Sequence, residues 1–126
     1  MEDAELIRVA SEALGAAYAP YSKFRVGASV LTQEGEAFSG CNVENSSFGL
    51  TMCAERAAIF AAVAHGHRKI DKVVVAGEKA DKPPYPCGAC LQVMSEFGVR
   101  EVIVGTVGGP FKTYEYAELL PRPFKL

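Results

Sequence analysis

The chain has 126 residues, enough for one compact domain. An apolar share of 49% supplies a core, and 22% charged residues with a net charge of −2 exclude an intrinsically disordered chain. Thirteen basic residues are scattered among fifteen acidic ones, so the clustered cations that displace counterions from phosphate are missing and no nucleic-acid partner is expected. No apolar run approaches membrane-spanning length, and Met1-Glu2-Asp3 opens with acid, not with a basic leader. The expectation is a soluble cytoplasmic protein forming a single domain over residues 1–126, without a membrane partner.

Leu6, Val9, Ala10, Ala13, Leu14 and Ala17 recur at helical spacing, which predicts an amphipathic helix over the first seventeen residues. Pro20 cannot continue its ladder and restricts Ala19, so the helix ends at Ala19-Pro20-Tyr21-Ser22. Phe24, Val26, Ala28 and Val30 then alternate as a strand does, Gln33-Glu34-Gly35-Glu36 supplies a turn, and Ala37 to Val43 reads as the returning arm of a hairpin. After a polar loop, Glu44 to Thr51, a helix opens near Met52-Cys53 and runs to Ala64, rich in small helix formers that pack close to a sheet. His65-Gly66-His67 closes it.

Lys72 to Ala76 is nearly continuously apolar, the pattern of a strand covered on both faces. A Pro-rich loop, Lys79 to Pro86, precedes a third helix from Cys87 to Gly98, and Val99 to Gly105 reads as a second buried strand. An edge strand, Phe111 to Tyr114, a short helix, Glu115 to Leu120, and a tail complete the chain. This order has the βαβ grammar of a layered α/β domain.

Four cysteines, Cys41, Cys53, Cys87 and Cys90, carry the first chemical signal. In a reducing compartment such residues bind metal or react more often than they pair. Cys53-Ala54-Glu55 and Pro86-Cys87-Gly88-Ala89-Cys90 each stand at a predicted helix start, where free N–H groups and the helix dipole favour thiolate. Cys87 and Cys90 are three apart and share a helix face. Three thiolates suit Zn²⁺, one ion per chain, and three ligands instead of four leave room for water, as catalytic zinc sites do. Cys41 is the available fourth ligand for a closed structural site, but it is placed at a strand end. Glu55, two residues after Cys53, is positioned to shuttle protons beside the metal. Arg56 is expected to offset the negative charge of the thiolates.

These segments resemble the zinc motif of the cytidine deaminases, in their small homotetrameric branch. Tyr18 to Phe24, Val26-Gly27-Ala28, Cys41 to Asn45 and Glu118-Leu119-Leu120-Pro121 extend the likeness over nearly the whole chain. The resemblance implies a three-layer α/β/α sandwich with a five-stranded mixed sheet. It implies zinc on Cys53, Cys87 and Cys90, with Glu55 as the proton shuttle. Phe24, Asn42, Glu44, Ala54 and Phe124 become the substrate-binding residues: Phe24 against the pyrimidine, Asn42 and Glu44 on the ribose hydroxyls, and Phe124 reaching a neighbouring subunit's site. The implied activity is hydrolysis of free cytidine and 2′-deoxycytidine to uridine and 2′-deoxyuridine, with release of ammonia, in pyrimidine salvage. The implied assembly is a homotetramer with active sites near subunit interfaces. Phe48 departs from the pattern, standing where the family often has a Tyr against the sugar.

Rival readings are a deaminase of another small aminated pyrimidine such as blasticidin S, a redox protein built on Cys87-Gly88-Ala89-Cys90, and a zinc-stapled binding module. His65 and His67 lie at the far end of the helix that Cys53 begins, about 15 Å away at the helical rise, and read as cap or surface residues. Tyr18, Tyr21 and Tyr85 are candidates for the lining of an entrance.

Overall fold

The computed structural model describes all 126 residues. Three layers result from the strand periodicity. Five strands stand in the order β2-β1-β3-β4-β5, where β1 is Val26–Thr32, β2 Ala37–Cys41, β3 Ile70–Gly77, β4 Glu101–Thr106 and β5 Phe111–Glu115. Only β3 and β4 run parallel, Val74 opposite Ile103, and every other pairing is antiparallel. The sheet is therefore the expected mixed one.

Successive side chains of a strand point to opposite faces. On β3 this sends Val74 and Ala76 toward helix α1 (Asp3–Ala13), where they pack with Leu6, Ala10, Leu31 and Ile103. Val73 and Val75 go to the other face, with Val30, Val102 and Val104, against α2 (Ala54–Ala64) and α3 (Gly88–Glu96). All four of these β3 side chains are fully buried, which is why the segment reads as a continuous apolar run. A short α4 (Tyr116–Leu119) is started by a capping box between Glu115 and Glu118.

Small residues set the spacing between layers. A Cβ on Gly27 would stand 2.1 Å from the Ala10 carbonyl oxygen, and one on Gly40 2.5 Å from the Ala58 nitrogen. Helices α1 and α2 thus lie with their backbones almost on the sheet, which the alanines of α2 permit.

Some boundaries differ from the expectation. The first α-helix stops at Ala13 and tightens into a single 3₁₀ turn, Leu14–Ala16, before the chain turns extended at Ala17. β1 begins at Val26, not at Phe24, because Lys23 occupies the left-handed region at φ 58° and breaks the alternation. β4 begins at Glu101: Gly98, at φ 69°, reverses the chain, and the Val99 N–H still bonds back to the Met94 carbonyl of α3.

Candidate active site

Two helix starts meet at one end of the sheet. Cys53 is the N-cap of α2 and Cys87 the N-cap of α3, both with extended backbone, so each thiol precedes its helix's first turn. Cys90 sits one turn into α3 and is fully buried. The three sulfurs all lie within 4.8 Å of one another. Cys87 and Cys90 Sγ are 3.7 Å apart. Two sulfurs on a tetrahedral zinc, each at about 2.3 Å, stand about 3.8 Å apart, so the pair already has the spacing of zinc ligands. Cys41 is free and lies outside this group.

The charges around the thiols are arranged for such an ion. An Arg56 terminal nitrogen donates to Cys53 Sγ at 3.3 Å, one turn along the same helix. The Cys90 thiol and this guanidinium together bring the Cys53 thiol down to about 5, while the negative Cys53 beside it and burial push the Cys90 thiol well up. Arg56 Nε is buried with no hydrogen-bond partner.

Glu55 is 4% exposed and sits in the first turn of α2, where the backbone offers its free N–H groups. Burial raises its carboxyl to about 7, and the adjacent Cys53 charge pushes the same way. A carboxyl in that range takes up and gives back a proton near neutrality.

Above these residues opens a cavity of about 490 Å³ whose wall includes Phe24, Asn42, Ala54, Glu55 and Tyr85. Lys79 and Lys82 of the Pro-rich loop reach over the Phe24 ring, 5.5 and 5.6 Å from its centroid. A smaller cleft of about 300 Å³ holds Tyr21, Glu44 and Phe48 and shares Ser22 and Thr51 with the main cavity. Asn42 thus lines the main cavity and Glu44 the cleft. Both already have partners: Asn42 accepts from the Val26 N–H and donates to the Phe24 carbonyl, each at 2.9 Å, and Glu44 accepts from the N–H groups of Tyr21 and Ser22 and from the Ser22 hydroxyl.

The remaining candidates lie elsewhere. Phe124 is 70% exposed and borders neither compartment; its backbone is held from both sides by the Gln92 amide of α3. His65, the C-cap of α2, bonds to the Ala61 carbonyl, and His67 stands between Glu34 and Glu36; neither lines the cavity or the cleft. Of the three tyrosines, Tyr85 lines the cavity, Tyr21 the cleft, and Tyr18 neither. Ser22, Thr51, Lys79 and Lys82 also line these compartments. Nothing in their local pattern signals a site, because what places them there is contact with distant segments.

Three sulfur donors beside a buried carboxylate, at the foot of a cavity in an α/β/α sandwich, define the class: a metal-assisted hydrolytic centre. Comparison with known proteins names the family. The model of the cytidine and deoxycytidylate deaminase zinc-binding region matches residues 1–106, and the chain belongs to that family. Cytidine deaminase of Halalkalibacterium halodurans is 41% identical over 126 residues, covering 98% of this chain and 95% of the relative. The crystal structure of cytidine deaminase from Burkholderia pseudomallei superposes with a TM-score of 0.91 at 45% identity, covering 98% of this chain and 100% of that one. Blasticidin-S deaminase of Bacillus cereus is more distant, 28% identical over 130 residues, covering 98% of this chain and 92% of that relative. The cofactor is zinc, and the three-cysteine cluster fits one ion per chain.

Proposed function

We propose that this chain hydrolyses cytidine and 2′-deoxycytidine to uridine and 2′-deoxyuridine with release of ammonia. The observation that carries the reading is the convergence of Cys53, Cys87 and Cys90 on one point beside the buried Glu55. Family membership and the two cytidine deaminases similar over nearly full length support it. The distant blasticidin-S deaminase does not favour that alternative substrate.

Cys53, Cys87 and Cys90 hold the zinc, and Arg56 disperses their charge. Zinc bound there supplies Lewis acidity that makes water a nucleophile at neutral pH. Glu55 does the proton work: a carboxylate oxygen takes a proton from the attacking water and hands it to ring N3 as the oxygen joins C4. It then takes the remaining proton from the oxygen now on C4 and delivers it to the exocyclic amine; the C4–N bond breaks as C4=O forms, and ammonia leaves. Burial under the substrate keeps bulk water from exchanging that proton. Phe24 offers its face to the flat base. Asn42 retains one N–H and one lone pair beyond its backbone bonds, and Glu44 retains acceptor capacity, so both can take a sugar hydroxyl. Ala54, buried at the first position of α2, closes the cavity floor.

The whole of residues 1–126 acts as one catalytic domain in this reading. The assembly is a homotetramer: Phe48 at 76%, Leu50 at 69% and Phe124 at 70% exposure are large apolar side chains that a neighbouring copy would cover. Phe124 then enters the adjoining subunit's site. Pyrimidine salvage is the role, and the cytoplasm the compartment, in keeping with four free cysteines. No helix is long and apolar enough to cross a membrane, and the acid-leaning charge disfavours nucleic acid as a partner.

The test is ammonia release from cytidine, deoxycytidine and blasticidin S, with and without a chelator. Turnover of the two nucleosides that the chelator abolishes is the expected result; preference for blasticidin S would overturn it. Glu55→Ala is expected to keep about one zinc per chain and the fold while losing at least about 100-fold in kcat, the usual weight of general acid–base catalysis. A variant retaining a tenth of the wild-type rate would remove Glu55 from the shuttle role.

A further inference from the structure

The loop from Tyr18 to Arg25 carries the Phe24 ring, and one serine joins it to the carboxylate of the neighbouring cleft. The Ser22 hydroxyl has a single proton, and its direction is fixed by its two partners. Glu44 Oε2 is a pure acceptor, so the hydroxyl donates there; the Phe24 N–H is a pure donor, so the hydroxyl accepts it, at 3.0 Å. Glu44 Oε1 meanwhile takes the N–H groups of Tyr21 and Ser22, at 2.9 and 3.1 Å. Between Ser22 and Phe24 lies Lys23 at φ 58°, a left-handed conformation unfavourable for an L-residue that persists because these bonds impose it. Ser22 also lines both the main cavity and the cleft, so it stands in the wall between them.

We propose that Ser22 is a positioning residue that couples the sugar-facing carboxylate of Glu44 to the base-facing ring of Phe24. The inference rests on the nucleoside reading given above. When Glu44 turns an oxygen toward a sugar hydroxyl, the Ser22 hydroxyl follows, and the Phe24 N–H with it. A nucleoside with hydroxyls on its sugar therefore aligns the platform beneath its own base. One lacking them leaves that alignment unused.

The test compares wild type, Ser22→Ala and Ser22→Thr as zinc-loaded enzymes. The KM and kcat for cytidine are measured, with inhibition constants for uridine and for 2′,3′-dideoxyuridine, which lacks both sugar hydroxyls. In Ser22→Ala, KM for cytidine and the uridine constant are expected to rise about tenfold, the weight of one hydrogen bond to a charged acceptor. The dideoxyuridine constant should rise less than about threefold on the same reasoning, because that ligand never engages Glu44. Most of the loss falls in KM, zinc content stays at wild-type level, and Ser22→Thr, which keeps the hydroxyl, restores the uridine constant. Equal loss on uridine and dideoxyuridine, or no loss on either, overturns the coupling while leaving the deaminase reading intact. Failure of the threonine to rescue overturns it as well. A wild-type enzyme that does not turn over cytidine overturns both.

Discussion

Gly40 on β2 is the position where one added methyl group should reach the reaction. Its backbone lies against the first turn of α2, and a Cβ there would stand 2.5 Å from the Ala58 nitrogen, 2.8 Å from the Ala54 carbonyl oxygen and 2.9 Å from the Ala57 Cβ. Ordinary contact begins at 3.4 Å, so α2 and β2 must separate by nearly 1 Å. Overpacking of this kind costs about 1–3 kcal/mol. At roughly 4 °C per kcal/mol in a domain of this size, Gly40→Ala should lower Tm by about 4–12 °C.

The same turn of α2 carries Cys53 at its cap and Glu55 inside it, while Cys87 and Cys90 belong to α3 and do not move with it. A shift near 1 Å between ligands on two helices, and of the carboxylate beside them, can cost about 100-fold in kcat. Steady-state ammonia release, zinc content and a thermal melt on the same preparation measure all of it. Gly15→Ala is the control, since nothing lies within 4 Å of the added carbon. A Gly40→Ala protein that melts early but keeps kcat within about twofold would refute the coupling. It would mean that β2, an edge strand paired only with β1, had yielded in place of α2.

Two further predictions follow from contacts around the core of the molecule. Arg56→Ala removes the guanidinium from Cys53 Sγ, and zinc loss to a competing chelator should become about tenfold easier, the usual weight of a residue bonded to a metal ligand; unchanged competition would show that Arg56 does not stabilise the loaded site. His67 is held above its ordinary value by bonds to Glu34, then Glu36, so its contribution to stability is full when the ring is protonated below the unfolded value and fades as pH rises through the folded one. His67→Asn should therefore lower Tm more at about pH 6 than at about pH 9, and an equal penalty at both would exclude the imidazolium as the source.

Local patterns were enough to single out the candidate thiols and carboxylate. The two helix-start motifs put three thiols and a carboxylate at helix N-termini, and periodicity located all five strands, because both signals act over a few residues. The continuous apolar run of β3 announced a strand covered on both faces, and Val73 and Val75 against Val74 and Ala76 divide between those faces as that pattern requires. Neither motif contains what joins Cys53 to Cys87 and Cys90. That depends on α2 and α3 packing on the same face of the sheet, a consequence of strand order and of the parallel β3–β4 crossover.

The cavity wall was still less legible. Phe24 reads as a strand residue by alternation, yet it projects from a loop, because Glu44 and Asn42, twenty and eighteen residues away, take up the backbone of residues 21–26 and hold Lys23 left-handed. A hydrogen bond across such a separation leaves no trace in the spacing of neighbours. Short stretches thus carry the candidate metal and proton-transfer groups and the buried faces, since helix dipoles, propensity and alternation act over a few residues. Which of those groups meet, and what surrounds them, is settled by packing between segments far apart in the chain.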